Sequence, residues 1–231
     1  MNITPLPAEV FEGLRIIDTP TLCNGLERAL GMPTVRGFTD MTIRALFPEL
    51  GVLCGYAVTV HADASTPGKP YDWEGLWKTY AAVAASPKPA VLVIKDVGPA
   101  PLRSAHMGEV MVSVSQRLGA IGAITDAGFR DVNEVRALGF HYFARGTVAS
   151  HGNCRILGAG MTVEVGGMKV MPGDLIHGDI NGLLNIPLTL APKVLEEAHK
   201  VREREAVVLS YIRGAEFTLD GFKQKVDPRQ R

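Results

Sequence analysis

Arg130 and Asp131 stand side by side in the stretch Gly119–Gly146, GAIGAITDAGFRDVNEVRALGFHYFARG. An arginine can grip an anionic substrate through two parallel N–H groups, and a carboxylate can hold a hard divalent cation. Upstream, the short apolar segment Ala123-Ile124-Thr125 runs into Asp126 and a small-residue turn at Ala127-Gly128. Downstream, an apolar-periodic segment leads to a second short run at Tyr142-Phe143-Ala144. Strand, polar turn, helix and strand make a βαβ unit, whose reactive side chains gather at the carboxyl ends of its strands. That places Asp126, Arg130 and Asp131 at one loop mouth. A structural reading competes: Asp131 followed three residues later by Glu134 is the spacing of a capping box at a helix start. The two are compatible if one carboxylate oxygen caps and the other faces a cation-bound water.

The elements that position this mouth follow from the rest of the chain. Ala90–Ile94, AVLVI, is an unbroken apolar run, as expected of a parallel strand covered on both faces. Gly108 then opens a helix, GEVMVSVSQRL, in which Val110, Met111, Val114 and Leu118 are expected to form the buried stripe. Its first turn points free backbone N–H groups toward the crevice. With the strands at Ala123 and Tyr142 this makes a central βαβαβ unit. Cys54–Ala62 reads as another strand and Met41–Leu46 as a weaker one. The loop from Asp63 to Pro70 is polar and long enough for a lip over a site. Trp73–Ala85 reads as a helix with Trp73, Trp77 and Tyr80 as packing aromatics.

N-terminal helices in residues 1–35, with Leu22, Leu26 and Leu30 on one face, form a covering layer. Beyond Gly146, glycines punctuate short β-like runs at Met161–Val165, Met168–Val170, Leu175–His177 and Leu183–Ile186, which suggests hairpins in a compact β layer. Lys193–Tyr211 is a long charged helix suited to a subunit edge, and the tail Asp227–Arg231 is expected to be disordered. The class is α/β, in a single domain over residues 1–231, with residues 190–231 as an extension.

Composition narrows function. The chain has 231 residues, 46% of them hydrophobic, with 24 basic and 24 acidic side chains. The balance gives no general field for nucleic acid. No apolar run reaches the ~20 residues of a membrane span. Cys23, Cys54 and Cys154 form no CxxC pair and read as reduced thiols, so a cytoplasmic location is expected.

Four segments together resemble one family: GEVM at Gly108–Met111, TDAGFRD at Thr125–Asp131, FARG at Phe143–Gly146 and PGDLIHGDINGLLNIP at Pro172–Pro187. It is the RraA-like family, which includes 4-hydroxy-4-methyl-2-oxoglutarate/4-carboxy-4-hydroxy-2-oxoadipate aldolases and the regulator of ribonuclease activity A. The likeness runs from about Thr19 to Pro187. It implies a swivelling β/β/α fold with a Gly-rich β layer and covering helices, assembled as a homotrimer or a dimer of trimers with sites between subunits. It further implies that Arg130 binds the pyruvate part of a substrate and that Asp131 holds Mg²⁺ or Mn²⁺ largely through water. Gly108, Glu109, Val110 and Met111 would supply backbone contacts to substrate. An acidic residue from a neighbour's C-terminal region would approach the metal, with Glu203 and Glu205 as candidates. Ala127 stands where the family usually has glycine, which matters if that position needs positive φ.

The chemistry so implied is aldol cleavage of a 4-hydroxy-2-oxo acid to release pyruvate, with oxaloacetate decarboxylation through the same enolate. A divalent ion would act as Lewis acid and Arg130 as a fixed positive charge. Three alternatives are set beside it. Lys95, at the end of an apolar strand, could form a Schiff base. His106 and His177 could line the crevice, although no histidine pair has metal-ligand spacing. The whole chain could instead be a non-catalytic regulator that binds a ribonuclease.

Overall fold

Alternate residues of a strand point to opposite faces, and Ala90–Ile94 needs apolar cover on both. In the computed structural model, which describes residues 3–68, 71 and 73–226, that cover is helices on one face and a hairpin on the other. The helices are α1 (Ala8–Arg15), α2 (Thr19–Leu30), α3 (Trp73–Ala85), α4 (Glu109–Arg117), α5 (Val132–Ala137), α6 (Ala191–Arg213) and α7 (Leu219–Val226). The strands are β1 (Arg44–Ala45), β2 (Leu53–Asp63), β3 (Ala90–Asp96), β4 (Ala120–Thr125), β5 (Gly128–Phe129), β6 (His141–Ala144), β7 (Gly146–Thr147), β8 (Arg155–Ala159), β9 (Val163–Val165), β10 (Met168–Val170), β11 (Leu175–Asp179) and β12 (Gly182–Ile186).

The main sheet runs β1-β6-β4-β3-β2-β11-β12, with β8 on the far end of β2. Strands β2, β3, β4 and β6 are parallel and joined through α3, α4 and α5. The expected βαβαβ unit is therefore present and is lengthened by one crossover. Leu92 and Ile94 pack with Leu76, Tyr80, Val83, Val112 and Val135 on the helical face. Val91 and Val93 pack with Val163, Val165, Met168 and Val170 of the β9–β10 hairpin on the other. Each such side chain contributes about 1.5–3 kcal/mol on full burial. The glycine-rich region supplies two hairpins, β9–β10 and β11–β12, and no further crossover. Helices α1, α2 and α6 cover Tyr56, Leu175, Leu184 and Ile186 at the antiparallel edge.

Four sequence expectations need correction. The buried stripe of α4 is Val112 and Ser115, while Val110 is 77% exposed and Val114 lies at the surface. Ser115 passes as a small core residue because its hydroxyl donates to the Met111 carbonyl at 2.8 Å, so the hydrophobic pattern pointed to the wrong face. Trp73 and Trp77 are not core aromatics. Leu76, Tyr80 and Val83 take the buried side of α3, and the two tryptophans stack on the outside of it. Leu30 and Met161 are exposed. Met41–Leu46 contributes only the two residues of β1. The segment Asp227–Arg231 lies outside the described residues. Among those described, no helix is long and apolar enough to cross a membrane.

His177 gives the fold a pH dependence. It is fully buried, with Nδ1 3.0 Å from the Thr19 hydroxyl at the start of α2. Burial pulls its pKa down to about 4, against the opposing pull of Asp179. The unfolded chain then takes up the proton first, so stability is full above about pH 6.5 and falls as the pH drops toward 4. The expected loss at pH 5 is about 2 kcal/mol. Urea unfolding at pH 7 and pH 5 should show it, and His177→Gln should flatten the difference.

Candidate active site

At the end of β4 the chain must leave the sheet and still present two charged side chains. Asp126 turns inward: its carboxylate ion-pairs with Lys95 and accepts from the Asp96 N–H at 3.0 Å. It is therefore a buried anchor and not part of the mouth. Lys95 is spent in the same pair, which leaves the Schiff-base role without a free amine. The next residues are held by backbone bonds to the segment before α4. Gly128 N–H donates to Ser104, His106 N–H to Gly128, and Arg130 N–H to Met107. Phe129 is stacked on Tyr142 at 4.0 Å between centroids, with Phe47 on Tyr142 as well. Arg130 follows directly on this aromatic floor.

Asp131 is the one non-glycine residue with positive φ among the described residues (φ 55°, ψ 46°). Such a conformation costs of order 1–3 kcal/mol and persists only where the surroundings impose it. They do so here. One carboxylate oxygen accepts from Arg130 Nε at 3.0 Å, and the other from the Glu109 N–H at 3.0 Å. The capping-box expectation is thus corrected: Asp131 does not cap its own helix α5 but reaches across to the first turn of α4. A Cβ at Gly108 would lie 2.3 Å from the same carboxylate, so any larger residue would push that carboxylate aside. Ala127 is not at positive φ and costs nothing in backbone strain.

These groups line a cavity of about 210 Å³ together with Tyr71, Ala105, His106, Met107, Val110, Met111, His151 and Cys154. Arg130 is about one-third exposed, and its terminal amino groups have no protein partner among the described residues. The N–H groups of Val110 and Met111 are in the first turn of α4, where no helical carbonyl reaches them. The four residues 108–111 and the Arg130–Asp131 pair are therefore brought together as expected. Glu203 and Glu205, expected to act on a neighbouring subunit's site, lie exposed on the distal half of α6, away from the cavity of their own chain.

His106 lines the cavity, as expected, and it carries a pairing that the sequence did not reveal. His106 Nε2 is 2.8 Å from Asp96 Oδ2, and both side chains are fully buried. Burial pushes the Asp96 carboxyl up, but His106, Ser104 and the Gly98 N–H outweigh it and hold it below the usual carboxylate range. The signal was present only as Lys95-Asp96 ending a strand, ten residues before His106. His177 is remote from this site, packed against Thr19. Cys154 is a poor nucleophile, since burial pushes its thiol up to about 11.

Among the described residues no cluster of three metal-ligating side chains exists. One aspartate with both oxygens already engaged by N–H donors still has a free lone pair on each. That donor set fits a hard cation held mainly by water and substrate oxygens, as Mg²⁺ commonly is.

The close approach at Gly108 is testable. Gly108→Ala should force the Asp131 carboxylate away and cost about 1–3 kcal/mol, measured by urea unfolding. Adding Asp131→Gly removes both the clash and the strained backbone and should recover most of that loss. A neutral Gly108→Ala would contradict the packing described.

The sequence profile of the RraA-like family, described as Aldolase/RraA, matches residues 19–184. An uncharacterised protein of Methanocaldococcus jannaschii is 28% identical over 193 residues, covering 83% of each chain. A Halalkalibacterium halodurans protein provisionally named a 4-hydroxy-4-methyl-2-oxoglutarate aldolase is 34% identical over 94 residues, which is 40% of this chain and 45% of that one. Among solved structures, an uncharacterised protein from Pseudomonas syringae superposes with a TM-score of 0.74 at 21% identity, covering 97% of both chains. Streptomyces coelicolor RraAS2, titled an unusual member of the RNase ES inhibitor RraA family, gives 0.70 at 23% identity over 89% of this chain and 98% of its own. At such identities the structures speak for the fold alone, but with the profile spanning most of the sequence, the chain belongs to the RraA-like family.

Proposed function

We propose that this chain catalyses divalent-cation-dependent aldol cleavage of a 4-hydroxy-2-oxo acid, releasing pyruvate. One observation carries the reading: an arginine with a free guanidinium fork, a strained aspartate and a helix N-terminus converge on one cavity. The family contains both aldolases and ribonuclease regulators, and this convergence favours the aldolases.

The substrate carboxylate would lie between the Arg130 fork and the N–H groups of Val110 and Met111. As the C3–C4 bond breaks, the C4 hydroxyl gives its proton to a water in the cavity mouth, C4 becomes a carbonyl, and the electron pair spreads to the keto oxygen; C3 of the enolate then takes a proton back from water and leaves as pyruvate. Arg130 meets that growing charge with a fixed one, so it binds the transition state better than the ground state. Asp131 would hold Mg²⁺ or Mn²⁺, which when bound supplies Lewis-acid stabilisation of the same oxygens. Arg130 Nε keeps the Asp131 carboxylate oriented for that purpose. Oxaloacetate decarboxylation passes through the same enolate and is the expected side activity. We further propose a homotrimer or a dimer of trimers. The distal half of α6 and all of α7 expose Val207, Leu209, Ile212 and Leu219, a surface suited to a neighbouring subunit.

A lactate-dehydrogenase-coupled assay for pyruvate tests the reading. EDTA should abolish release and Mg²⁺ or Mn²⁺ restore it. Arg130→Lys keeps the charge but loses the fork, and should lower both kcat and kcat/KM by about a hundredfold or more, roughly 3 kcal/mol. Asp131→Asn tolerates the same backbone and should fold, yet stay inactive at practical metal concentrations. Wild type and Arg130→Lys equally inactive on every oxo acid, with both binding a ribonuclease, would replace the enzyme by the regulator.

A further inference from the structure

We infer that the cavity selects 4-hydroxy-2-oxo acids whose fourth carbon carries a planar apolar group, such as an aromatic ring, with Tyr71 and Trp73 as its wall. This rests on the reading of the cavity as a pyruvate-releasing site. The first ground is continuity. Tyr71 lines the same cavity as Arg130, its ring centroid is 4.8 Å from that of Trp73, and Trp73 stacks on Trp77 at 5.8 Å. The ladder leads from the site to the surface, and Trp73 and Trp77 are 59% and 57% exposed. Two large aromatic rings left in water beside a binding cavity mark a recognition surface, because burying them against a partner ring is strongly favourable.

The second ground is charge. Among the described residues lining the cavity, Arg130 is the one carrying a fixed positive charge, and the pyruvate carboxylate takes it. Met107, Val110, Met111 and Cys154 supply the apolar part of the wall, beside His106, Asp131 and His151. With Arg130 and the bound cation engaged by the pyruvate unit, a second carboxylate on C4 would meet no further fixed positive charge of this chain, whereas a ring there would meet apolar surface. The third ground is size. A cavity of about 210 Å³ is smaller than typical ligand pockets, so it does not enclose a pyruvate unit together with a ring, and the ring would extend to the cavity edge, which Tyr71 helps to line.

Trp73 and Trp77 are the chain's two tryptophans, so the intrinsic emission reports directly on this surface. The experiment titrates the full chain, with Mg²⁺, with 2-oxo-4-phenylbutanoate, 2-oxoglutarate and pyruvate. These acids share the pyruvate unit and differ only at C4, and none carries the hydroxyl needed for cleavage. The phenyl acid should bind at least tenfold more tightly than 2-oxoglutarate by calorimetry and should change the tryptophan emission. Trp73→Ala should remove most of that preference, and Trp73→Phe should keep it. If 2-oxoglutarate binds as tightly, or the emission does not respond, the inference is overturned while the pyruvate site stands. If Trp73→Ala changes the sedimentation coefficient and leaves the preference intact, the ladder is a subunit contact and the inference fails. If none of the three acids binds, the pyruvate site itself is refuted.

Discussion

The Asp131 carboxylate joins the two halves of the site. One oxygen receives Arg130 Nε and the other receives the first N–H of α4, while the backbone is held in a left-handed conformation. Backbone bonds already hold the Arg130 segment beside the residues before α4, and the carboxylate adds the side-chain link that orients the guanidinium toward the helix N-terminus. Gly108 belongs to the same constraint, since any larger residue would occupy the carboxylate's place. The strain at Asp131 is a cost that the surrounding contacts offset, and it is concentrated where two elements must meet at fixed geometry.

Around this clasp the strand ends are pinned by polar contacts that are wholly or partly buried. An ion pair of Lys95 and Asp126 ties β3 to β4, and the contact of Asp96 with His106 ties β3 to the segment before α4. Arg155 and Asp63 tie β8 to the end of β2. Burial pushes the Asp63 carboxyl up, but Thr66, Ser65 and Arg155 outweigh it and bring it to about 2. Replacing one member of such a pair strands a buried charge, so these contacts fix loop geometry more than they add net stability. The result is a rigid frame for a small polar mouth.

The parallel strands and the glycine-rich hairpins were legible because local patterns specify them. Ala90–Ile94 has no polar face, and the glycines beyond Gly146 interrupt every run. The Arg130–Asp131 pair and the 108–111 segment were legible as a site because loops at strand ends carry chemistry. Three features were not. The buried face of α4 is set by the clasp at Gly108 and by a satisfied Ser115 hydroxyl, both invisible to hydrophobic periodicity. The exposure of Trp73 and Trp77 depends on which of two adjacent stripes on α3 meets the sheet. The His106–Asp96 pair joins residues from two elements, and sequence spacing says nothing of their meeting.

Membership of the RraA-like family leaves enzyme and regulator both open, and enolate formation separates them. The most direct measurement follows the methyl signal of pyruvate by proton NMR in D₂O, with the chain and Mg²⁺ but no aldehyde. The account predicts that the methyl protons exchange for deuterium at a rate set by the chain, that EDTA stops the exchange, and that Arg130→Lys slows it. Methyl protons that persist at the rate of the protein-free control would contradict the claim that this cavity stabilises the pyruvate enolate.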